Sequence, residues 1–180
     1  MKTNKSILWI TRTAISLALL ITAQAILKIF GQYVLGSVVN LILISTTMLI
    51  GISEGITIAI LSPLFAFLLG FGPALPQILP VVILGNSVIV LLWYLIAARG
   101  DNKRILRMIV SVVCAAIAKF LVLWLGVVKI VIPLLHIGNP QATVLSAAFL
   151  YPQIFTAIIG GAVSISVIIP LSKIIKKKNS

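Results

Sequence analysis

The chain has 180 residues, 61% hydrophobic and only 9% charged, and a soluble domain of this length needs a charged surface that such a composition does not supply. The net charge of +12 does not point to nucleic acid either. Eleven of the fourteen Lys and Arg fall at the two termini and in the 99–107 segment, which is a topology signal rather than a basic groove. The composition therefore predicts an all-α integral membrane protein, residues 1–180 forming one compact transmembrane domain in the lipid bilayer.

The first apolar stretch, roughly 8–30, follows Lys2 and Lys5, and Ala23-Gln24-Ala25 imitates a signal-peptidase site. Because the apolar run continues past Ala25 to Phe30, we read it as a retained span. Thr11, Ala14, Ala18, Thr22 and Ala25 recur in steps of three and four, which puts them on one helix face. A stripe of small residues lets another helix approach closely, and close packing drives association in lipid, where burying apolar surface gains little. The far end of the same helix carries Gln24, Lys28 and, just beyond it, Gln32.

Five more spans are expected, at roughly 37–51, 56–70, 75–98, 105–126 and 143–172, giving a six-helix bundle. The second and third are short for a hydrocarbon core about 30 Å thick. A tight Gly51–Gly55 turn separates them. The segments 31–36, 71–76 and 127–143 read as irregular, and Pro133 and Pro140 in the last of these break a long helix. That segment is apolar but too short to cross, so it is expected to cover protein or a cavity. With the N-terminus inside, the inner ends hold Lys2, Lys5, Arg12, Arg99, Lys103, Arg104, Arg107, Lys173, Lys176, Lys177 and Lys178, and both acids, Glu54 and Asp101. Only Lys28, Lys119 and Lys129 fall toward the outside. The positive-inside rule then places both termini in the cytoplasm. All three irregular segments lie on the outer face, so a ligand pocket would open outward.

Several chemistries lack their residues. No G-x-x-x-x-G-K-[ST] loop is present, so the chain does not hydrolyse ATP by that route. One His and one Cys assemble neither a metal cluster nor a Cys–His nucleophile, and no cofactor is expected. Proton or sodium coupling usually places a carboxylate within the spans. Here both acids sit at the inner rim, where Glu54 most simply caps the third helix. If uptake is driven uphill, the energy comes from another subunit. The chain is not expected to be an enzyme.

The outer half offers a candidate ligand set of Lys28, Gln32, Asn40, Asn86, Lys119, Trp124, Tyr151 and Gln153. Lys119 lies about 21 Å along its helix from Ile105, and two readings of it stand, a lysine snorkelling to headgroups or a buried cation facing the bundle interior. Trp124 reads as an interfacial anchor or a stacking wall, and Asn86 as interhelical glue or a ligand contact. Tyr151-Pro152-Gln153 sets a kink with two polar tips, serving structure or binding. A cation, amides and rings facing one cavity suit a small polar or anionic organic molecule.

Ala14-x-x-x-Ala18 near the inner end of the first helix, Ser62-Pro63-x-x-Ala66-x-x-x-Gly70 and Gly85-Asn86 give the chain a resemblance to the substrate-binding S components of energy-coupling factor (ECF) vitamin transporters. The likeness extends over the whole chain in size, span number and irregular outer loops, but no residue set marks the thiamin, biotin or riboflavin members. The resemblance implies a multi-pass protein of the bacterial plasma membrane that captures a vitamin-like ligand from outside. It also implies that Ala14 and Ala18 contact a membrane-embedded T component, which acts with two ATPase subunits. A stand-alone facilitator or channel is the alternative, and a membrane interaction protein without a ligand is a third reading.

Overall fold

A computed structural model describes residues 4–73, 75–98 and 103–178, the last three of these without their side chains. Lys2, Arg99 and Asp101 lie outside the described residues. Every regular element among those described is helical: α1 (Lys5–Leu27), α2 (Gly31–Leu49), α3 (Ile52–Leu68), α4 (Leu79–Ala97), α5 (Arg104–Leu123), the single turn α6 (Ile132–Leu134), α7 (Gln141–Phe149) and α8 (Tyr151–Lys178). Short 3-10 turns at Lys28–Phe30 and Pro76–Ile78 precede α2 and α4, and a π-helical stretch, Trp124–Val131, joins α5 to α6.

Four continuous stretches are long and apolar enough to cross a membrane, Lys5–Leu49, Pro76–Ala97, Arg104–Leu134 and Gln141–Ile175, and Ile52–Leu68 is apolar but shorter. These are five stretches rather than six separate spans, because the expected irregular segment at 31–36 is helical. The chain passes from the 3-10 turn straight into α2 at Gly31, whose φ of +83° is accessible to a residue without a Cβ. As α1 packs against α2, the chain doubles back there. The second expected span is accordingly longer than its apolar run suggested, since α2 has 19 residues, about 28 Å.

The 127–143 segment also differs from expectation. Helix continues through it to Leu134 and stops one residue after Pro133, and His136 takes a left-handed φ of +50°. At the other expected kink, α7 ends at Phe149 and α8 begins at Tyr151. Pro152 has no N–H to give the carbonyl four residues back. That carbonyl belongs to Ala148, and it accepts instead from Gln153 Nε2 at 3.2 Å.

Side-chain register sets the direction of each helix. The Ser164 hydroxyl donates to Gly160 O at 2.6 Å and reaches Leu41 O at 3.5 Å. Gly36 lies against Thr156, and Gly160 against Ser37 and Asn40, so α2 and α8 run parallel. Arg104 Nη1 donates to Ser172 Oγ at 3.0 Å while Gly161 faces Val112, so α5 runs antiparallel to α8. A core of Leu43, Ile58, Ile89, Trp93, Met108 and Ile168 fills the middle of the bundle, and a smaller cluster of Ile78, Val127, Val131 and Leu145 lies beneath the loops at the end where α1 finishes.

The α2–α8 crossing holds Asn40 in place, and Gly160 makes it close. A Cβ there would stand 2.5 Å from Ser37 O and 2.8 Å from Asn40 Cβ, a clash with backbone that no rotamer relieves. Gly160→Ala should therefore destabilise the fold by about 1–3 kcal/mol, read as an earlier thermal unfolding transition in detergent. Gly138→Ala, at a position with open space around it, is the control and should leave the transition where it is.

Candidate functional site: a buried lysine and two amides beside a cavity

Lys119 sits in the fifth turn of α5, Asn40 about 14 Å into α2 and Asn86 about 11 Å into α4 at 1.5 Å per residue. Because α4 runs back along α5, these depths bring the three to one level. Lys119 Nζ donates to Asn40 Oδ1 at 2.6 Å and to Asn86 Oδ1 at 2.9 Å. Lys119 is 4% exposed, Asn40 1% and Asn86 3%. The side chain is thus held inside the bundle and does not snorkel to the membrane surface. Asn86 is both glue between α4 and α5 and part of the cavity wall.

Beside this cluster lies a cavity of about 310 Å³, the lower end of the range for small-molecule sites. Its wall includes Lys119, Asn86, Gln24, Gln32 and Gln153, with Phe71 and Phe149 as aromatic faces. Two lysine donors are taken by the amides, and a protonated amine carries three. The Asn40 Nδ2 and Gln24 Oε1 atoms are buried and unpartnered among the described residues. Glu54, the one carboxylate side chain described, lies in the first turn of α3, at the opposite end of the bundle. The polar groups of the cavity are therefore one lysine and four amides set in a mostly apolar wall, with no acid among the described residues to balance the lysine.

Other residues expected at the site are placed differently. Gln32 and Gln153 line the cavity, although the Gln153 amide nitrogen is already engaged at the kink. Lys28 is exposed and stands 5.9 Å from the centroid of the Phe71 ring, so it belongs to the rim. Trp124 and Tyr151 are not among the lining residues. Trp124 is five positions past Lys119, about 140° round the helix, and the residue four positions on, Leu123, lines the cavity instead. The indole stacks on Phe120 with centroids 6.4 Å apart and carries Lys129 Nζ at 5.4 Å, forming a separate surface cluster. Tyr151 is 71% exposed. It lies two positions before Gln153 and so on the other side of α8.

Gln24, Phe71 and Phe149 are wall residues that sequence reasoning did not select. Gln24 carried a readable signal, since Thr13, Ser16, Leu20 and Gln24 follow one another at helical spacing. The first three are the buried residues of α1, and Gln24 extends that inward face. The two phenylalanines carried none, because their places depend on the loop after α3 and on the break before α8. Ala14 and Ala18, like Thr11, Thr22 and Ala25, lie on the exposed side of α1.

The family model for the substrate-specific component of ECF transporters matches residues 10–172, nearly the whole chain. No curated protein and no solved structure matches it. With several apolar helices of membrane-spanning length and the family match over nearly its whole length, the chain is a multi-pass membrane protein and belongs to the family of ECF-transporter substrate-specific components, the S components.

Proposed function

We propose that this S component captures a small anionic or neutral polar micronutrient, a vitamin or vitamin precursor, from outside a bacterial cell. The observation that carries this reading is the buried Lys119, held by Asn40 and Asn86 against a cavity with no acid in its wall among the described residues. A cationic ligand would meet uncompensated repulsion there, and an anion would complete the lysine's third hydrogen bond. In this reading residues 1–180 form one domain of six spans, the Lys5–Leu49 stretch crossing twice, with both termini cytoplasmic and the cavity opening outward. The Ala14 and Ala18 face docks a T component, and two ATPase subunits supply the energy.

The ligand also has to satisfy Gln24, whose Oε1 is buried and has no hydrogen-bond partner among the described residues. A hydroxyl or an amide N–H on the ligand donates to that oxygen. The substrate is then an acid that also carries a neutral hydrogen-bond donor for Gln24 Oε1, as pantothenate does and nicotinate, whose ring nitrogen only accepts, does not. A titration of the purified protein with pantothenate, nicotinate and thiamin tests the reading. Tight thiamin binding would sink the anionic assignment. Gln24→Leu should weaken binding of the hydroxylated acid about tenfold and leave nicotinate unchanged, whereas an equal loss for both would remove Gln24 from ligand recognition.

A further inference from the structure

A second cavity, an open surface groove of about 660 Å³, lies at the end of the bundle where α1 begins. Its wall is formed by Lys5, Trp9 and Arg12 with Leu8 and Ile10 of α1, and by Glu54 in the first turn of α3. Lys5, Trp9 and Arg12 are spaced four and three apart, which places them on one helix face. Glu54 is 6% exposed. Its Oε2 accepts from the Ser53 hydroxyl at 2.7 Å, and that oxygen accepts from the Trp9 indole N–H at 3.1 Å. This relay pins α1 to α3 and holds the Glu54 side chain in the cavity wall. The dipole of α3 favours an acid at its first turn, but it leaves the carboxylate without a cationic partner among the described residues.

Two cations, one buried carboxylate and an indole at a membrane surface constrain the occupant. A simple anionic headgroup would satisfy Lys5 and Arg12 and set its phosphate against Glu54. A lone basic side chain from a partner would satisfy Glu54 and meet two like charges. A zwitterion with an ammonium and a phosphate a few bonds apart satisfies both signs at once. We propose that this cavity is a headgroup site for an aminophospholipid of the phosphatidylethanolamine class. The primary ammonium donates to Glu54, and the phosphate lies between Lys5 and Arg12. The exposed Leu8 and Ile10 side chains meet the glycerol and upper acyl region, and the Trp9 ring sits at the interfacial depth that indoles favour. A choline headgroup, having no N–H, cannot make the bond to Glu54.

The test is native mass spectrometry of the full chain titrated with palmitoyl-oleoyl phosphatidylethanolamine, phosphatidylcholine or phosphatidylglycerol. The ethanolamine lipid should be retained about tenfold more strongly than either of the others, the value of one charge-assisted hydrogen bond. Glu54→Gln should reduce it to the level of the choline lipid. Because Glu54 is buried and its replacement can disturb the fold, Arg12→Gln at an exposed position is the second variant. It should weaken ethanolamine, choline and glycerol lipids alike by removing a phosphate contact. Equal retention of the ethanolamine and choline lipids, stronger retention of the glycerol lipid, or an ethanolamine preference that survives Glu54→Gln would each overturn the proposal.

Discussion

Lys119→Met is expected to weaken ligand binding by about 2–5 kcal/mol, a rise in Kd of about thirtyfold or more, while the protein remains folded. Methionine follows the same path through the bundle and fills nearly the same volume. What it removes is the amine that donates to Asn40 and Asn86 and that we propose meets the ligand's anion. The two amides are then free to bond each other or water, so the structural cost is modest. The ligand's anion has no such replacement, because among the described residues no other cation lines the cavity. Calorimetric titration with pantothenate and a thermal melt on the same sample separate the two effects. An unchanged dissociation constant would take Lys119 out of the site and leave it as a structural pin between α2, α4 and α5.

Ala14→Trp or Ala18→Trp is expected to leave ligand binding to the isolated subunit intact and to abolish ATP-dependent uptake by the reconstituted complex. Ala14 and Ala18 sit one turn apart on the exposed side of α1, while Thr13, Ser16 and Leu20 turn inward. An indole on the outward face displaces only lipid in the free subunit. At a close helix–helix contact with a T component the same indole cannot be accommodated, since tight crossings rely on small residues and dense interfaces do not absorb added volume. Ligand titration and liposome uptake on one variant read the two cases apart. Loss of both activities would mean that the face packs within the subunit, and retention of both would mean that it meets only lipid.

Composition and local pattern were sufficient for the coarse identity of this protein. The apolar runs specify helices in a membrane, because a long continuous apolar run satisfies its backbone in lipid within one helix, whereas barrel strands alternate apolar and polar residues. Ala14-x-x-x-Ala18 and the small-residue runs in α3 and α4 were enough to suggest the family. The polar residues inside apolar helices, Asn40, Asn86 and Lys119, were each visible as groups that need partners.

Only the folded chain decided which of those groups meet. Lys119 could be a snorkelling residue or a buried one as long as the neighbours of α5 were unknown. Its burial depends on Asn40 and Asn86, carried by helices far away in sequence and brought level by the direction and register of α2, α4 and α5. The contacts that set that register, Gly160 against Asn40 and Gly85 against Leu123, likewise join residues distant along the chain. Trp124 and Tyr151 looked equally suitable by type, and helix rotation alone turned them away. The turn expected at 31–36 was read too long for a related reason, since α2 already begins at Gly31. Hydropathy sums side chains, whereas the reversal rests on the backbone of Gly31, a single residue without a Cβ. Side-chain chemistry was thus written locally, and the cavity was set by helix crossings that no local stretch contains.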